Sequence, residues 1–414
     1  MPRSDQRRPR VRKSTIYDVA KAADVSTATV SNVLRSTRYV RPDLQKRVHS
    51  AIAALGYRPN RVAKSIRERR SRTIGVVVPD VTVGLFHGIV RRIEQRAACT
   101  DYQIILADTQ EDFCSERERV RALIQRQIDG LIVVPCRDDS PVLRELSDRK
   151  IPTVLLDRIG RETGFDSVSA DNLGASREGT RHLISLGHRR IVFLASDPSL
   201  RNIRERIQGY REGLHEAGLS EHEKILITGR RASEAVGSVL KPLLRNDPRP
   251  SALFAATQSV AVGALKTIWE LGFRLPGEVS LLSFDDCEWF TALRPFLSAI
   301  RQPAEDFADQ AWSMLMARLG NDRSPKLHSE VHCDLIVRES TAPPGGSALK
   351  SPRARGIDLR TSKDSDSGWE LRRKVISKTG VDFENKKRKT SLKNCRRSVF
   401  IRSTASGPPE IPTT

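Results

Sequence analysis

The sequence predicts an all-α helix-turn-helix head, an α/β body of two doubly wound parallel-sheet lobes, and a basic C-terminal tail of low order. Three observations support this fold class. Short amphipathic helices joined by a tight turn occupy the start of the chain. From residue 74 onward, continuous apolar strand-like runs alternate with helical stretches. Residues 345–414 have few periodic apolar positions.

The positive charge lies at the two ends of the chain. Residues 1–73 carry 19 Lys and Arg against 5 Asp and Glu, and residues 345–414 carry 17 against 7, within a total net charge of +21. The stretch between them has a balance of −3. A basic head on a nearly neutral body is typical of a protein that binds a polyanion and has a second task in its body.

Several classes of protein are disfavoured by composition. No apolar run approaches the roughly 18 residues that span a membrane, and the first residues lack the apolar core of an export signal. The six cysteines are scattered, with no C-x-x-C pair. We therefore expect a cytoplasmic protein with no membrane contact, no metal site and no cofactor.

The first helix is predicted after a disordered basic arm, residues 1–13. Ser14 or Thr15 can cap it. Its apolar residues follow the i, i+3, i+4, i+7 spacing of one helix face. They are Ile16, Val19, Ala20 and Ala23.

Two further helices follow within residues 14–59. Asp24 tolerates the left-handed conformation of a tight turn, after which Ser26 caps a helix that runs from residue 27 to residue 34. A third helix has Pro42 in its first turn and ends at Gly56. Helices this short cannot bury a face alone, so they must pack together as a tri-helical unit.

The second helix of such a unit enters the major groove with its N-terminal residues at the base edges. The candidate base-reading residues are Thr27, Ala28, Thr29, Ser31 and Asn32. An Asn side chain can pair bidentately with adenine. Tyr17, Ser26 and Ser31 are predicted to hold phosphates. A helical hairpin for protein contacts is the alternative, but the Ser/Thr-rich helix and its basic surroundings suit DNA better.

The run TIYDVAKAADVSTATVSNVL, followed by GYRPNRVA, resembles the DNA-binding head of the LacI/GalR family of bacterial transcriptional regulators. The resemblance implies a hinge helix and linker over residues 60–73. By the same resemblance, two copies of this helix are expected to push an apolar pair into the minor groove of the operator. The matching residues are Asn60, Arg61, Ala63 and Ile66. Ile66 replaces the usual leucine, and it remains an apolar wedge of the right volume.

The body, residues 74–344, contains two series of strand-like runs. The first covers residues 74–78, 103–106, 130–134 and 152–156, and the second covers residues 190–194, 252–256 and 279–282. Helical stretches such as residues 89–98 and 115–126 lie between them. Two such series predict two doubly wound lobes.

Polar residues just after strands are candidates for a ligand site, because ligands of parallel sheets bind beyond the strand C-termini. They are Asp80, Asp108, Asp157, Arg158, Asp171, Asn172, Asp285 and Asp286. A lone Asp after a strand usually caps a helix. A binding role is therefore supported only where several of these residues converge on one cleft. Asp171 and Asn172 fit a structural turn better.

The body resembles the periplasmic sugar-binding protein fold through motifs such as IDGLIVVP, IPTVLLDR and VSLLSFDD, and the whole resemblance covers about residues 14–344. It implies lobe 1 at about 74–170 and 303–330, and lobe 2 at about 171–302 and 331–344. It also implies an effector site between them. The implied site residues are Asp157, Arg158, Arg206, Thr257, Asp285 and Gln302, with Phe86 or Trp289 as an apolar ring face.

The chain departs from the family pattern at two positions of this site. Val83–Phe86 replaces an Asn-Pro-aromatic-Phe segment, and Thr257-Gln258 replaces Asn-Asp. We therefore expect an effector other than an ordinary hexose or pentose. A sugar derivative, an oligosaccharide or a phosphorylated sugar is compatible, and Arg158 with Arg206 could hold an anion.

The favoured function is a sequence-specific DNA-binding regulator, a repressor that acts as a homodimer on double-stranded DNA at a pseudo-palindromic operator and responds to a small sugar-like effector. An enzyme on a doubly wound scaffold, acting on a sugar or sugar phosphate, is the alternative. It lacks support because no G-x-G-x-x-G, H-E-x-x-H or G-x-S-x-G pattern occurs. The tail, residues 345–414, either adds sequence-blind DNA affinity or has no role.

Overall fold

The computed structural model describes residues 14–35, 38–57, 70–158, 164–229 and 232–345. The predicted arm, most of the hinge segment and nearly all of the tail lie outside these residues. Within them the helices are α1 Ile16–Ala23, α2 Thr27–Arg35, α3 Pro42–Leu55, α4 Gly84–Ala98, α5 Phe113–Gln125, α6 Pro141–Asp148, α7 Asn172–Ser185, α8 Arg201–Glu216, α9 Ala232–Arg245, α10 Gln258–Glu270 and α11 Ala304–Leu319. The strands are β1 Thr73–Val78, β2 Gln103–Asp108, β3 Gly130–Val133, β4 Thr153–Leu156, β5 Asp166–Ala170, β6 Ile191–Ala195, β7 Ile225–Ile227, β8 Ala252–Ala255, β9 Ser280–Phe284, β10 Ser298–Arg301, β11 His328–Val331 and β12 Asp334–Ile336.

The head is the predicted three-helix unit. Val19, Val30 and Val48, one from each helix, are fully buried at its centre. Thr15 starts α1 through a capping box with Asp18, which satisfies N–H groups that the first helical turn leaves open. The left-handed conformations needed at the ends of α1 and α3 fall on Asp24 and Gly56.

The described residues of the body form two six-stranded sheets. The first, in lobe 1, has the order β11-β5-β4-β3-β1-β2, and the second, in lobe 2, has the order β12-β10-β9-β8-β6-β7. Neighbouring strands are parallel except for β12, which runs antiparallel to β10. The central strands are buried along their length because helices cover both faces. The predicted fold class is confirmed.

The chain crosses between the lobes three times. It leaves lobe 1 after β5, returns to it after β10 to form α11, and crosses again between β11 and β12. These crossings bring the carboxyl ends of both sheets to a common cleft.

Close packing of α7 on α8 orients the helix that lines this cleft. A methyl group at Gly209 of α8 would overlap the carbonyl oxygen of Leu173 and lie 2.9 Å from the amide nitrogen of Arg177. Both obstacles are backbone atoms of α7, which cannot rotate away. Gly209 therefore permits the short distance between the two helices.

Gly209→Ala is expected to lower the free energy of unfolding by about 1–3 kcal/mol, because the added methyl group forces α7 and α8 apart. Urea denaturation measures this change. Gly237→Ala in α9 is the matched control, since a methyl group there meets nothing closer than 3.5 Å. The control should raise stability by about 0.5–1 kcal/mol. Equal effects of the two substitutions would contradict the packing argument.

Candidate functional site

The candidate DNA-reading residues lie on the solvent side of α2. Ala28 is exposed, and Thr27, Thr29, Ser31 and Asn32 are partly exposed. Val30, between them in sequence, is buried in the core of the head. The helix therefore presents its small polar side chains outward while its apolar residues hold it in place.

Two of the predicted phosphate-binding residues differ in their availability. Tyr17 is 73% exposed. The hydroxyl of Ser26 instead caps α2, accepting from the amide of Thr29 at 3.1 Å and bonding to the Thr29 hydroxyl at 2.9 Å. Asn60, Arg61, Ala63 and Ile66, the candidate hinge residues, lie outside the described residues.

The cleft between the lobes contains a small cavity of about 80 Å³. All seven effector-site candidates line it: Phe86, Asp157, Arg158, Arg206, Thr257, Asp285 and Gln302. Trp289 is not among the lining residues, and its ring packs edge-on against Phe290 at 4.6 Å. Phe86 therefore supplies the aromatic ring of this cavity.

Arg206 is the central buried cation of the cavity, with 2% of its surface exposed. Its Nε donates to Asn172 at 2.9 Å and its Nη1 donates to the Ala256 carbonyl at 2.8 Å. Its guanidinium lies 3.6 Å from the ring centre of Phe284 and 3.8 Å from the carboxylate of Asp285. The sequence predicts a structural role for Asn172 in a turn. In the structure its side chain orients Arg206.

Arg158 is neutralised by Glu111, which is not among the residues that the sequence predicts for the site. Its two terminal nitrogens each donate to a carboxylate oxygen of Glu111 at 2.7 Å. Burial alone would lower the pKa of Arg158, but the adjacent Glu111 outweighs it and the pKa is raised. The pair is bidentate, the strongest common geometry for a guanidinium and a carboxylate.

Asp157 faces Arg206 and Arg158 from the end of β4, in a left-handed conformation with φ of 57°. Its Oδ2 accepts from Asn202 of lobe 2 at 3.1 Å. Burial raises the pKa of the Asp157 carboxyl, and the two guanidinium groups reverse this only in part.

Three buried polar atoms of the cavity have no hydrogen-bond partner among the described residues. They are the acceptors Asp157 Oδ1 and Gln302 Oε1 and the donor Arg158 Nε. Buried polar atoms are rarely left unpaired. All three belong to residues that line the same cavity.

The remaining strand-end carboxylates serve the fold. Asp80 accepts from the amide of Thr82, Asp108 accepts from the amide of Gln110, Asp171 caps α7, and Asp286 pairs bidentately with Arg338. None of these residues lines the cavity. Asn202, by contrast, lines it and was missed, although its i, i+4 spacing to Arg206 places both on one face of α8.

Asp157→Asn should make the protein more stable than the wild type at pH 7. The folded protein holds the Asp157 proton more tightly than the unfolded chain does, so the ionised carboxylate lowers stability above the raised pKa. The difference should shrink as the pH falls and the wild-type carboxyl becomes protonated. Urea denaturation from pH 8 to pH 4 measures it, with the exposed Asp139→Asn as control. A constant difference over this range would contradict the assignment.

Neither a metal cluster nor a membrane helix emerges from the described part of the chain. No group of three or more His, Cys, Asp or Glu side chains there is arranged to hold a metal ion. No helix in that part is both long and apolar enough to cross a bilayer.

Two family models match the chain. Residues 15–60 match bacterial regulatory proteins of the lacI family, and residues 180–341 match a periplasmic binding protein-like domain. The first covers the head with α1–α3, and the second covers most of lobe 2 and the return through lobe 1.

Curated relatives match over nearly their whole length. The HTH-type transcriptional repressor PurR of Vibrio atlanticus is 31% identical over 334 residues, which is 79% of this chain and 98% of that protein. Catabolite control protein A of Priestia megaterium is 30% identical over 330 residues, covering 79% of this chain and 99% of that protein. Both have the length of the head and body together, without the tail.

Solved structures show the same arrangement. The Lac repressor dimer bound to operator and the anti-inducer ONPF has a TM-score of 0.71 at 25% identity, covering 80% of this chain and 100% of that chain. The complex of the transcriptional regulator CelR with cellobiose has a TM-score of 0.60 at 27% identity, covering 79% of this chain and 99% of that chain.

Proposed function

The chain belongs to the LacI family of bacterial regulatory proteins, and we propose that it is a cytoplasmic transcriptional repressor that binds an operator as a homodimer and a small effector between its lobes. The observation that carries this proposal is the combination, in one chain, of a head with an exposed polar helix and a body whose cleft holds unpaired buried polar atoms. The enzyme alternative is disfavoured, because the curated relatives are transcriptional repressors.

DNA recognition is assigned to α2. Its exposed Thr, Ala, Ser and Asn side chains suit the major groove, where amide groups pair with adenine and methyl groups contact thymine. The surplus of positive charge in residues 1–73 supplies affinity for phosphates of any sequence. Two heads of a dimer then address the two halves of one operator.

Asn32→Ala should weaken binding to the preferred operator by about 1–3 kcal/mol while leaving binding to random DNA nearly unchanged. The physical reason is that Asn32 reads a base edge and holds no phosphate. The operator is first selected from random duplexes. Titrations at several salt concentrations then measure the affinity for this operator and the affinity for random DNA. Thr15→Ala, in the α1 cap away from α2, is the control for head stability. A uniform loss on all sequences would contradict the base-reading role.

The charges of the cavity favour an uncharged effector. Its ionisable lining consists of four carboxyl groups, Glu111, Asp157, Asp197 and Asp285, and two guanidinium groups. Both guanidinium groups already lie against carboxylates. An anion would meet excess negative charge and no free guanidinium fork. We therefore favour an uncharged sugar derivative or oligosaccharide over the phosphorylated sugar that the sequence left open.

A screen of matched pairs tests this choice. Uncharged sugars and glycosides are expected to change operator affinity, and the phosphate ester of each is expected to have no effect. Gln302→Leu should reduce the response at least tenfold, because it removes the unpaired acceptor Oε1. Gln208→Leu on the exposed side of α8 is the matched control. A response confined to phosphate esters would refute the uncharged effector, and no response to any small molecule would refute effector control.

We assign the coupling between the effector site and the head to residues 70–72, where the chain enters lobe 1. The carboxylate of Asp129 accepts from the amide and hydroxyl of Ser71, at 2.7 and 2.9 Å, and from the amide of Arg72 at 3.0 Å. Arg70 donates to the Leu319 carbonyl at the end of α11 at 2.8 Å. A movement of lobe 1 therefore displaces the end of the hinge segment, and operator affinity changes with it.

A further inference from the structure

The N-cap residue of α8 provides no side-chain cap, although Asn202 Oδ1 accepts from the backbone N–H of Ile203 within the helix at 2.9 Å. Leu200 occupies the N-cap position, where a side-chain acceptor would normally bond the first free N–H groups, and it makes no such bond. The missing acceptor comes from the other lobe. Oδ1 of Asp138, in the loop after β3 of lobe 1, accepts from the backbone N–H of Arg201 at 3.2 Å.

The second oxygen of Asp138 holds the same helix by a side chain. Oδ2 accepts from Nη2 of Arg204 at 2.7 Å. Nη1 of Arg204 donates to the carbonyls of Pro198 and Ser199, at 3.1 and 2.6 Å, so this guanidinium also fixes the loop that precedes α8. Asp138 is 8% exposed and lies outside the lining of the cavity.

The helix that Asp138 holds carries two polar residues of the cavity. Asn202 and Arg206 lie one turn apart on the same face of α8, and both line the cavity. Asn202, the residue directly after Arg201, donates to Asp157 across the cleft at 3.1 Å. The position of the first turn of α8 relative to lobe 1 therefore sets the distance between the two walls of the cavity.

We propose that Asp138 is a positioning residue of the cleft: by capping α8 from the opposite lobe, it holds Asn202 and Arg206 at the ligand and is released when the lobes separate. Opening the cleft removes Asp138 as the acceptor for the backbone N–H of Arg201, and closing the cleft restores it. Lobe closure thus stabilises the helix that the ligand contacts. The ligand part of this inference rests on the proposed effector site.

Hydrogen exchange of the full-length protein, followed by mass spectrometry, tests the cap without any effector. Asp138→Ala should speed exchange in peptides that cover residues 200–206 by about fivefold or more, because a lost N-cap destabilises the first turn by about that factor. Asp138→Asn keeps an acceptor oxygen for Arg201, so it should recover most of the protection. Small-angle scattering should show a larger radius of gyration for the Ala variant.

Two matched controls separate positioning from a general loss of structure. Asp139→Ala removes the neighbouring carboxylate, which pairs with Arg137 within lobe 1, and should leave α8 unchanged. Arg204→Gln tests the same contact from lobe 2, and Arg211→Gln, whose partner Glu223 is in lobe 2, is its control. If Asp138→Ala does not fold, Arg204→Gln decides alone, with faster exchange at residues 200–206 expected.

Unchanged protection of residues 200–206 in Asp138→Ala, or an equal loss in Asp139→Ala, would overturn the proposal. Unchanged protection in Arg204→Gln would do the same if it is the deciding variant. A protein that shows the expected exchange but responds to no small molecule would refute the effector site and leave the cross-lobe cap intact.

Discussion

Burial of the Arg206 guanidinium is the constraint on which the cleft depends. A buried cation is tolerated only where acceptors surround it, and here the first residue of α7 and the residues directly after β8 and β9 each supply one. The strand ends must therefore meet at one point. This places Asp285 and Gln302 on the floor of the cavity, while Asp157 and Arg158 face them from lobe 1.

The two lobes divide the charges of the cleft between them. Arg206 and Asp285 belong to lobe 2, and Arg158 and Glu111 belong to lobe 1, so each lobe neutralises its own guanidinium. Hydrogen bonds across the cleft involve other residues, among them Asn202, Asp138 and Gln258. Separation of the lobes consequently exposes carboxylates without stripping either buried guanidinium of its partner, which keeps both open and closed forms accessible to one fold.

Much of this structure follows from local sequence patterns. The three helices of the head, with Asp24 and Gly56 at their ends, could be predicted because cap and turn residues act over a few positions. The central strands were visible as apolar runs. β5 was not, because three of the five residues in DSVSA are polar although all five are buried. Its Asp166 is neutralised by Arg318, 152 residues away, and no local pattern records such a pairing.

The candidate site shows the same limit. Asp157, Arg158 and Asp285 could be predicted because they directly follow strands, and parallel strands bring their carboxyl ends to one edge of the sheet. Glu111 and Asn202 were missed because their importance comes from partners in distant segments. The sequence indicates that Arg158 is available for an anion, whereas in the structure Glu111 accepts from both of its terminal nitrogens.

The anchor at Asp129 has a consequence for how such proteins diversify. Two of its three donors are main-chain N–H groups, which every residue except proline provides. The contact with Asp129 therefore depends more on the backbone conformation of residues 71–72 than on their side chains. A head with a different DNA specificity, joined ahead of residue 71, would therefore meet the same attachment to lobe 1.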